Sequence, residues 1–205
     1  MGMQQQAMGF DPNALIQRVR RLAMLDTTVF EEIRGDASST VSGVIVAAVS
    51  FLVFGLGGWL WYQFQDYNYK GGTLLLYSVI LGTIVSLVLW AVFVGVTYVV
   101  LTQVFRARAD AQELVRVLGF ATAPLVVGIL MFVPGLDMGL GIVAIALFFG
   151  ASFIAVQSAT DAPAGKALVA TAAGFAAWAL IESALVQGNE PWKTIAQNIF
   201  LFAPR

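Results

Sequence analysis

The sequence predicts an all-α integral membrane protein with five transmembrane helices and an N-terminal cytoplasmic amphipathic helix. Hydrophobic residues make up 59% of the 205-residue chain and charged residues only 11%, whereas a soluble domain carries about a quarter charged residues. So little polar surface does not cover a water-soluble globule of this size. The apolar residues also fall into five long runs, as expected for helices that cross a bilayer.

The first 40 residues are predicted to be a tail followed by an amphipathic region. Residues 1–10 are rich in glutamine and methionine, and we expect a disordered tail there. The pattern from Asp11 to Arg34 predicts a cytoplasmic amphipathic helix, because Asp11 supplies an N-cap and Pro12 suits the first helical position. Apolar residues then recur at helical spacing opposite two arginines: Leu15, Val19, Leu22 and Ala23 opposite Arg18 and Arg21. The amphipathic region is expected to end near residue 40.

The membrane domain is expected at residues 41–187, followed by an external C-terminal tail at 188–205. The second apolar segment is longer than a straight crossing needs and should tilt or protrude. The third is short and contains Pro124, so it either crosses fully, as a hairpin with the fourth segment, or is re-entrant. The five segments are Val41–Phe64, Thr73–Val104, Val117–Val133, Leu136–Val156 and Ala167–Val186.

The distribution of lysine and arginine predicts the orientation in the membrane. With a cytoplasmic N-terminus and five crossings, eight of the 11 basic residues lie inside, as the positive-inside rule requires. We therefore expect a cytoplasmic N-terminus and an external C-terminus. The inside residues are Arg18, Arg20, Arg21, Arg34, Arg106, Arg108, Arg116 and Lys166, and the outside residues are Lys70, Lys193 and Arg205.

The residue types that are missing restrict the chemistry. The chain has no cysteine and no histidine, which excludes disulfides, thiolate and imidazole metal ligands, cysteine nucleophiles and a serine–histidine dyad. The clustered acidic ligands of lipid phosphotransferases and the paired buried aspartates of intramembrane proteases are also missing. We therefore expect no enzymatic activity, no cofactor and no metal. The net charge of −1 gives no reason to expect a nucleic-acid partner.

Glu182 is the ionisable residue that lies well inside an apolar segment. Intramembrane carboxylates often mark ion pathways. Its place near the outer end of the fifth segment, where a carboxylate can reach water, favours a structural role over transport. Three arginines beside the membrane, Arg106, Arg108 and Arg116, are candidate contacts for lipid headgroups or anchors of the topology.

Small residues recur at four-residue spacing along the fifth segment, in the pairs Ala170 and Gly174, and Ala173 and Ala177. Small residues allow helix backbones to approach closely in lipid. These positions therefore pack either within the bundle or against a partner helix. Because small residues occur on nearly every face, the segment is expected to be central, or to pack against the bundle on one face and a partner on another.

Three stretches resemble the Yip domain family, named for Ypt/Rab-interacting proteins, and the likeness is greatest to bacterial members. They are "TTVFEEIRGDASST" at Thr27–Thr40, "ELVRVLGFATAP" at Glu113–Pro124 and "FIAVQSATDAPAGKALVATAAGF" at Phe153–Phe175. The resemblance runs from about Leu25 to Val186. Eukaryotic relatives are associated with Rab GTPases and with Golgi and endoplasmic reticulum membranes, whereas bacterial relatives have no Rab system to bind.

The resemblance also singles out individual positions. Gly119, Phe120 and Pro124 of the second stretch are candidate functional or structural residues. Gln157 stands where family members often place a basic residue near the end of the fourth helix.

The resulting hypothesis is a non-enzymatic protein of the Yip type in the bacterial cytoplasmic membrane. It would act as a membrane-organising scaffold or accessory subunit, through helix packing and its cytoplasmic amphipathic helix. Its expected partners are membrane lipids and either other membrane subunits or further copies of itself. The alternative is a small channel or transporter that uses Glu182 and the helix break at Pro124.

Overall fold

A computed structural model of the chain describes residues 11–64, 75–133 and 135–186. In this part of the chain five helical spans are long and apolar enough to cross a membrane, which confirms the predicted fold class. The tails predicted at residues 1–10 and 188–205 lie outside the described residues. The five spans are Ser39–Phe64, Ser78–Val104, Ala111–Phe132, Gly139–Ser158 and Ala164–Glu182.

Two short helices precede the first span where the sequence predicts a single helix. They are α1, Pro12–Ala23, and α2, Val29–Gly35. The chain turns between them because Leu25 adopts a left-handed conformation with φ of 62°, which ends the helical hydrogen-bond pattern. The following turn is held by Asp26, whose carboxylate accepts hydrogen bonds from the backbone and the hydroxyl of Thr28. As predicted, Asp11 caps α1 by accepting from the amides of Asn13 and Ala14.

The first, fourth and fifth spans are continuous α-helices, whereas the second and third change their winding. The second has π-helical turns at Leu76–Leu81 and Val100–Val104 on either side of the α-helix Gly82–Val99. The second span is 27 residues long, which agrees with the long second segment predicted from the sequence. The α-helices of the other three spans are Ser39–Phe64, Asp137–Ser158 and Ala164–Val186.

The third span changes from an α-helix, Ala111–Ala121, to a 3-10 helix, Ala123–Phe132, at the predicted proline break. Pro124 has no amide hydrogen to donate, so an α-helix loses a hydrogen bond at this point. The hydroxyl of Thr122 donates to the carbonyl of Gly119 at 2.7 Å, which satisfies one acceptor at the end of the α-helical part. A 3-10 helix also rises about 0.5 Å more per residue than an α-helix, which helps a short segment to cover the bilayer.

The first and third spans form the centre of the bundle and run in the same direction. A Cβ atom on Gly119 would lie 2.7 Å from the Cα of Gly43, and one on Gly57 would lie 2.9 Å from the Cα of Ile129. Both distances are too short for any side chain, so the two backbones touch near both ends of the pair. Because the third span follows the first over this length, it runs along the whole pair, which favours a full crossing over a re-entrant segment.

The fifth span lies at the periphery, which corrects the expectation that it could be central. Of the residues in its most apolar stretch, only 28% are buried, compared with 61% for the corresponding stretch of the third span. Ala170 and Gly174 pack inside the bundle, while Ala173 and Ala177 are half-buried beside them. The outward face is apolar and exposed, with Ala172, Ala176 and Leu180 among its residues.

Candidate functional site

Arg18 joins α1 to the start of the first span. Its guanidinium binds Glu32 at 3.0 Å, Asp36 at 2.9 Å and the hydroxyl of Ser39 at 2.5 Å. The side chain is 11% exposed, so these charge-assisted hydrogen bonds form largely out of water and hold a planar donor in a defined geometry. The sequence places Arg18 on the polar face of an amphipathic helix, but the structure turns it inward.

Arg21 adds a second link one turn further along α1. It binds Asp26 at 2.8 Å and Glu32 at 2.6 Å. Glu32 therefore accepts from both arginines, and α1 and α2 are tied together at three carboxylates. We call Arg18, Arg21, Asp26, Glu32 and Asp36 the arginine clasp.

The clasp continues onto the ends of the third and fourth spans. Arg34 binds Glu113 at 2.7 Å and donates to the carbonyl of Ser158 at 3.0 Å. Arg116 donates to the carbonyl of Arg34 at 2.7 Å and to that of Gln112 at 3.2 Å. These contacts fasten α2 to the bundle at what we call the arginine-rich end, where the first, third and fourth spans meet α1 and α2.

The clasp carboxylates are ionised well below neutral pH. Partial burial of Asp36 works against ionisation, but hydrogen bonds from Ser38, Ser39 and Arg18 outweigh it and lower the pKa of Asp36 from 3.8 to about 2. The hydrogen bond from Arg18 also lowers the pKa of Glu32. The clasp is therefore fully charged over the physiological range of pH.

The predicted lipid-contact arginines occupy different environments. Arg116 is buried and its guanidinium is directed at protein carbonyls. Arg106 and Arg108 are exposed in the connection between the second and third spans. The amide of Arg108 donates to Asp161 at 2.8 Å, and Lys166 lies 5.7 Å above the ring of Phe105. This connection therefore lies against the start of the fifth span and keeps three basic groups at the arginine-rich end.

Glu182 lies in the interior, although the sequence suggested a position in reach of water. It is 1% exposed, and neither carboxylate oxygen has a hydrogen-bond partner among the described residues. Charged side chains in apolar surroundings are costly unless they are paired. Glu182 is therefore the least satisfied polar group of the described fold.

Three of the remaining candidates lie in the third span, which packs beside the first. Gly119 touches the first span, Phe120 is fully buried and Pro124 begins the 3-10 segment. That segment packs against the first and fourth spans, while the fifth span packs mainly against the second. The structure does not bring Pro124 and Glu182 together in one path. Gln157 is half-buried near the end of the fourth span.

Sequence reasoning missed the acidic side of the clasp. Glu32 and Asp36 were not selected, although residues 18–36 contain four acidic and four basic side chains. That balance is the available signal, because opposite charges in a short segment next to a membrane span tend to pair. Among the described residues, no group of three or more acidic side chains is placed to hold a metal.

Five apolar spans that are long enough to cross a membrane, with two short helices at one end, are the features of a multi-pass membrane protein. The family model for the Yip1 domain matches residues 25–184, more than three quarters of the chain. The chain therefore belongs to the Yip1 domain family. No curated protein and no solved structure matches it.

Proposed function

We propose that the protein is a non-enzymatic scaffold or accessory subunit of the bacterial cytoplasmic membrane. The observation that supports this most is the arginine clasp, which makes α1 and α2 a fixed part of the bundle. A flexible amphipathic tail would adapt to any surface, whereas a fixed one presents the same surface to every partner. We call α1 and α2 together the platform, and the distribution of lysine and arginine supports a position for it on the cytoplasmic side.

The platform suits the boundary between lipid and water. α1 packs against the 3-10 segment of the third span, so part of the helix lies at the depth of a membrane-embedded element. Its outward side exposes Ile16 by 62%, Met24 by 64% and the following Leu25 by 80%. Arg20 is exposed on the same helix, and a helix with apolar and basic residues on its free side binds the plane of a leaflet.

Anionic headgroups are the proposed ligands of the exposed basic groups. Arg106, Arg108 and Lys166 lie close together where the second and fifth spans reach the arginine-rich end. Each basic residue near an anionic leaflet contributes roughly 1 kcal/mol to binding. Arg106 and Arg108 remain candidate headgroup contacts, whereas Arg116 fastens α2 to the bundle.

The outward face of the fifth span is the proposed contact for another membrane subunit or a second copy. Ala172 and Ala176 are exposed one helical turn apart and present little more than backbone. Such a face allows a partner helix to approach closely. The bundle therefore offers one surface to the leaflet and another to a neighbouring span.

Stoichiometry measured in a native lipid environment tests this proposal. The chain is extracted from its own membrane in lipid nanodiscs and weighed by native mass spectrometry, alongside the double variant Ala172→Leu and Ala176→Leu. We expect a defined assembly that the double variant loses, and a control at the half-buried Ala173→Ser should retain it. The scaffold hypothesis would be rejected in favour of the transporter by two results together. The first is a monomer in both samples, and the second is solute flux in proteoliposomes that Glu182→Gln abolishes.

A further inference from the structure

Glu182 lies in a crevice between the second, fourth and fifth spans. Along the fifth span, Gly174 packs against the second, where a Cβ atom would lie 2.7 Å from the carbonyl of Phe93. One turn later the ring of Trp178 is 6.1 Å from that of Phe148 in the fourth span. Glu182 follows one turn after Trp178 on the same buried face. Its carboxylate is therefore enclosed by three spans.

The antiparallel register brings two polar residues of the second span to the same depth. Glu182 lies eight residues beyond Gly174, about 12 Å along the helix axis. Because the second span runs antiparallel to the fifth, a point the same distance before Phe93 and Thr97 in the second span lies at the depth of Glu182. Ser86 and Trp90, which are both buried, lie near this depth. Side chains on a helix tilt toward its N-terminus, so in antiparallel spans Glu182 and Trp90 tilt toward each other.

One further polar atom at this depth also lacks a hydrogen-bond partner. The indole nitrogen of Trp90 is buried and unpaired among the described residues, whereas the unpaired hydroxyls of Thr97 and Ser152 lie about two turns away, near the level of Gly174. Buried polar groups without protein partners are commonly satisfied by water or a bound ion.

No protein charge within these spans balances the carboxylate. The second span, Ser78–Val104, and the fourth, Gly139–Ser158, contain no acidic or basic residue. Lys166 of the fifth span is 16 residues away, about 24 Å along the helix. The described residues of these spans therefore offer no counter-charge, and a buried carboxylate is far less costly when it is neutralised.

We propose that the crevice binds a monovalent cation on Glu182, either a proton or a sodium ion. The two ions share the same chemistry, neutralisation of one carboxylate by one positive charge. A proton needs the carboxylate alone, whereas a sodium ion would also need further oxygen ligands. This site goes beyond the scaffold function and does not depend on it.

A hydrophobic carbodiimide tests the site, because this reagent modifies protonated carboxyl groups in lipid. The full chain in nanodiscs is treated and its peptides are analysed by mass spectrometry. We expect an adduct at Glu182 that Glu182→Gln abolishes without lowering the thermal unfolding midpoint. Its rate of formation should fall by about tenfold per pH unit on the alkaline side if the occupant is a proton. If the occupant is sodium, added sodium should slow the reaction at constant pH and ionic strength.

A lipid-facing carboxyl serves as the matched control. Leu180→Glu in the Glu182→Gln background places a carboxyl two residues away on the exposed face, where the reagent has access and sodium should not protect. If this control is modified while native Glu182 is not, the crevice does not exchange cations and the proposal fails. A modification of Glu182 that neither pH nor sodium alters would overturn it equally.

Discussion

At the scale of single residues, Arg18 links α1 to three other parts of the fold. It is the clasp member that reaches α2, the linker and the first span at once. Removing it leaves Asp36 without its charged donor, and it leaves the buried Ser39 hydroxyl without the group that donates to it. Arg20, two positions away, points outward from the same helix and is a natural control.

We predict that Arg18→Ala lowers the free energy of unfolding by about 1–3 kcal/mol, because partly buried carboxylates lose a charged donor. Arg20→Ala should change it by less than about 0.5 kcal/mol. Arg18→Lys should fall between them, since an ammonium group does not reproduce the planar fork. Thermal unfolding in detergent measures the order. Equal midpoints for the two alanine variants would show that the clasp does not stabilise the fold.

Acidification should release α1 in a defined window. The folded-state pKa of Asp36 is about 2, below its ordinary value of 3.8, so its stabilising effect is complete above pH 3.8 and is lost as pH falls toward 2. The chain has no cysteine, so a single spin label at Gln17→Cys reports the mobility of α1. We expect mobility to rise between about pH 4 and pH 2.

Asp36→Asn is the control for this titration. It should make α1 more mobile at neutral pH and reduce the further change in acid. An identical acid response in the native chain and in Asp36→Asn would assign the change to other groups.

The contacts and burial of individual side chains were the features that could least be predicted from the sequence. The periodicity of α1 predicts that Arg18 lies on the polar face of the helix. Hydrophobic spacing does not indicate which carboxylates Arg18 binds. Glu182 was expected to reach water because only its distance from the helix end was known. Its burial depends on how the second and fourth spans pack around the fifth, which is a tertiary property.

At the scale of elements, the close pair formed by the first and third spans determines the shape of the bundle. Their backbones touch at Gly43 and Gly119, where even a methyl group would force the two spans apart. Gly95 in the second span has open space around it. A comparison of the same substitution at Gly119 and at Gly95 therefore separates the effect of packing from that of helix propensity.

We predict that Gly119→Val destabilises the fold by several kcal/mol or prevents its assembly, because overpacking costs about 1–3 kcal/mol even when neighbours can move. Gly95→Val should be tolerated, since its side chain meets lipid. Yield of monodisperse protein and the thermal unfolding midpoint are the measurements. Comparable losses in both variants would mean that the first and third spans do not pack as described.

The five spans themselves could be predicted because long apolar runs have few alternatives in a membrane. The break at Pro124 could also be predicted, since proline removes a helix donor. The change to a 3-10 helix and the π-helical turns of the second span could not, because they adjust backbone length to neighbours that the sequence does not reveal. The division of the first predicted helix into α1 and α2 depends on the conformation of Leu25.

At the scale of the whole molecule, the protein is a helix bundle of the Yip1 domain family with α1 and α2 attached as a polar cap at the arginine-rich end. The family match begins at residue 25, so α1 precedes the matched range and is fastened to it through the clasp. If the clasp holds in the membrane, the exposed apolar residues of α1 and its following turn stay at a constant depth. The proposed scaffold function depends on this arrangement.

The depth and mobility of labels at Ile16→Cys and Leu25→Cys in anionic nanodiscs test it most directly. Electron paramagnetic resonance reports accessibility to oxygen, which concentrates in lipid, and to a water-soluble relaxation agent. We predict immobile labels at the boundary of headgroups and acyl chains, with Arg18→Ala releasing both. Labels that are mobile and fully accessible from water in the native chain would contradict the fixed platform and the scaffold function built on it.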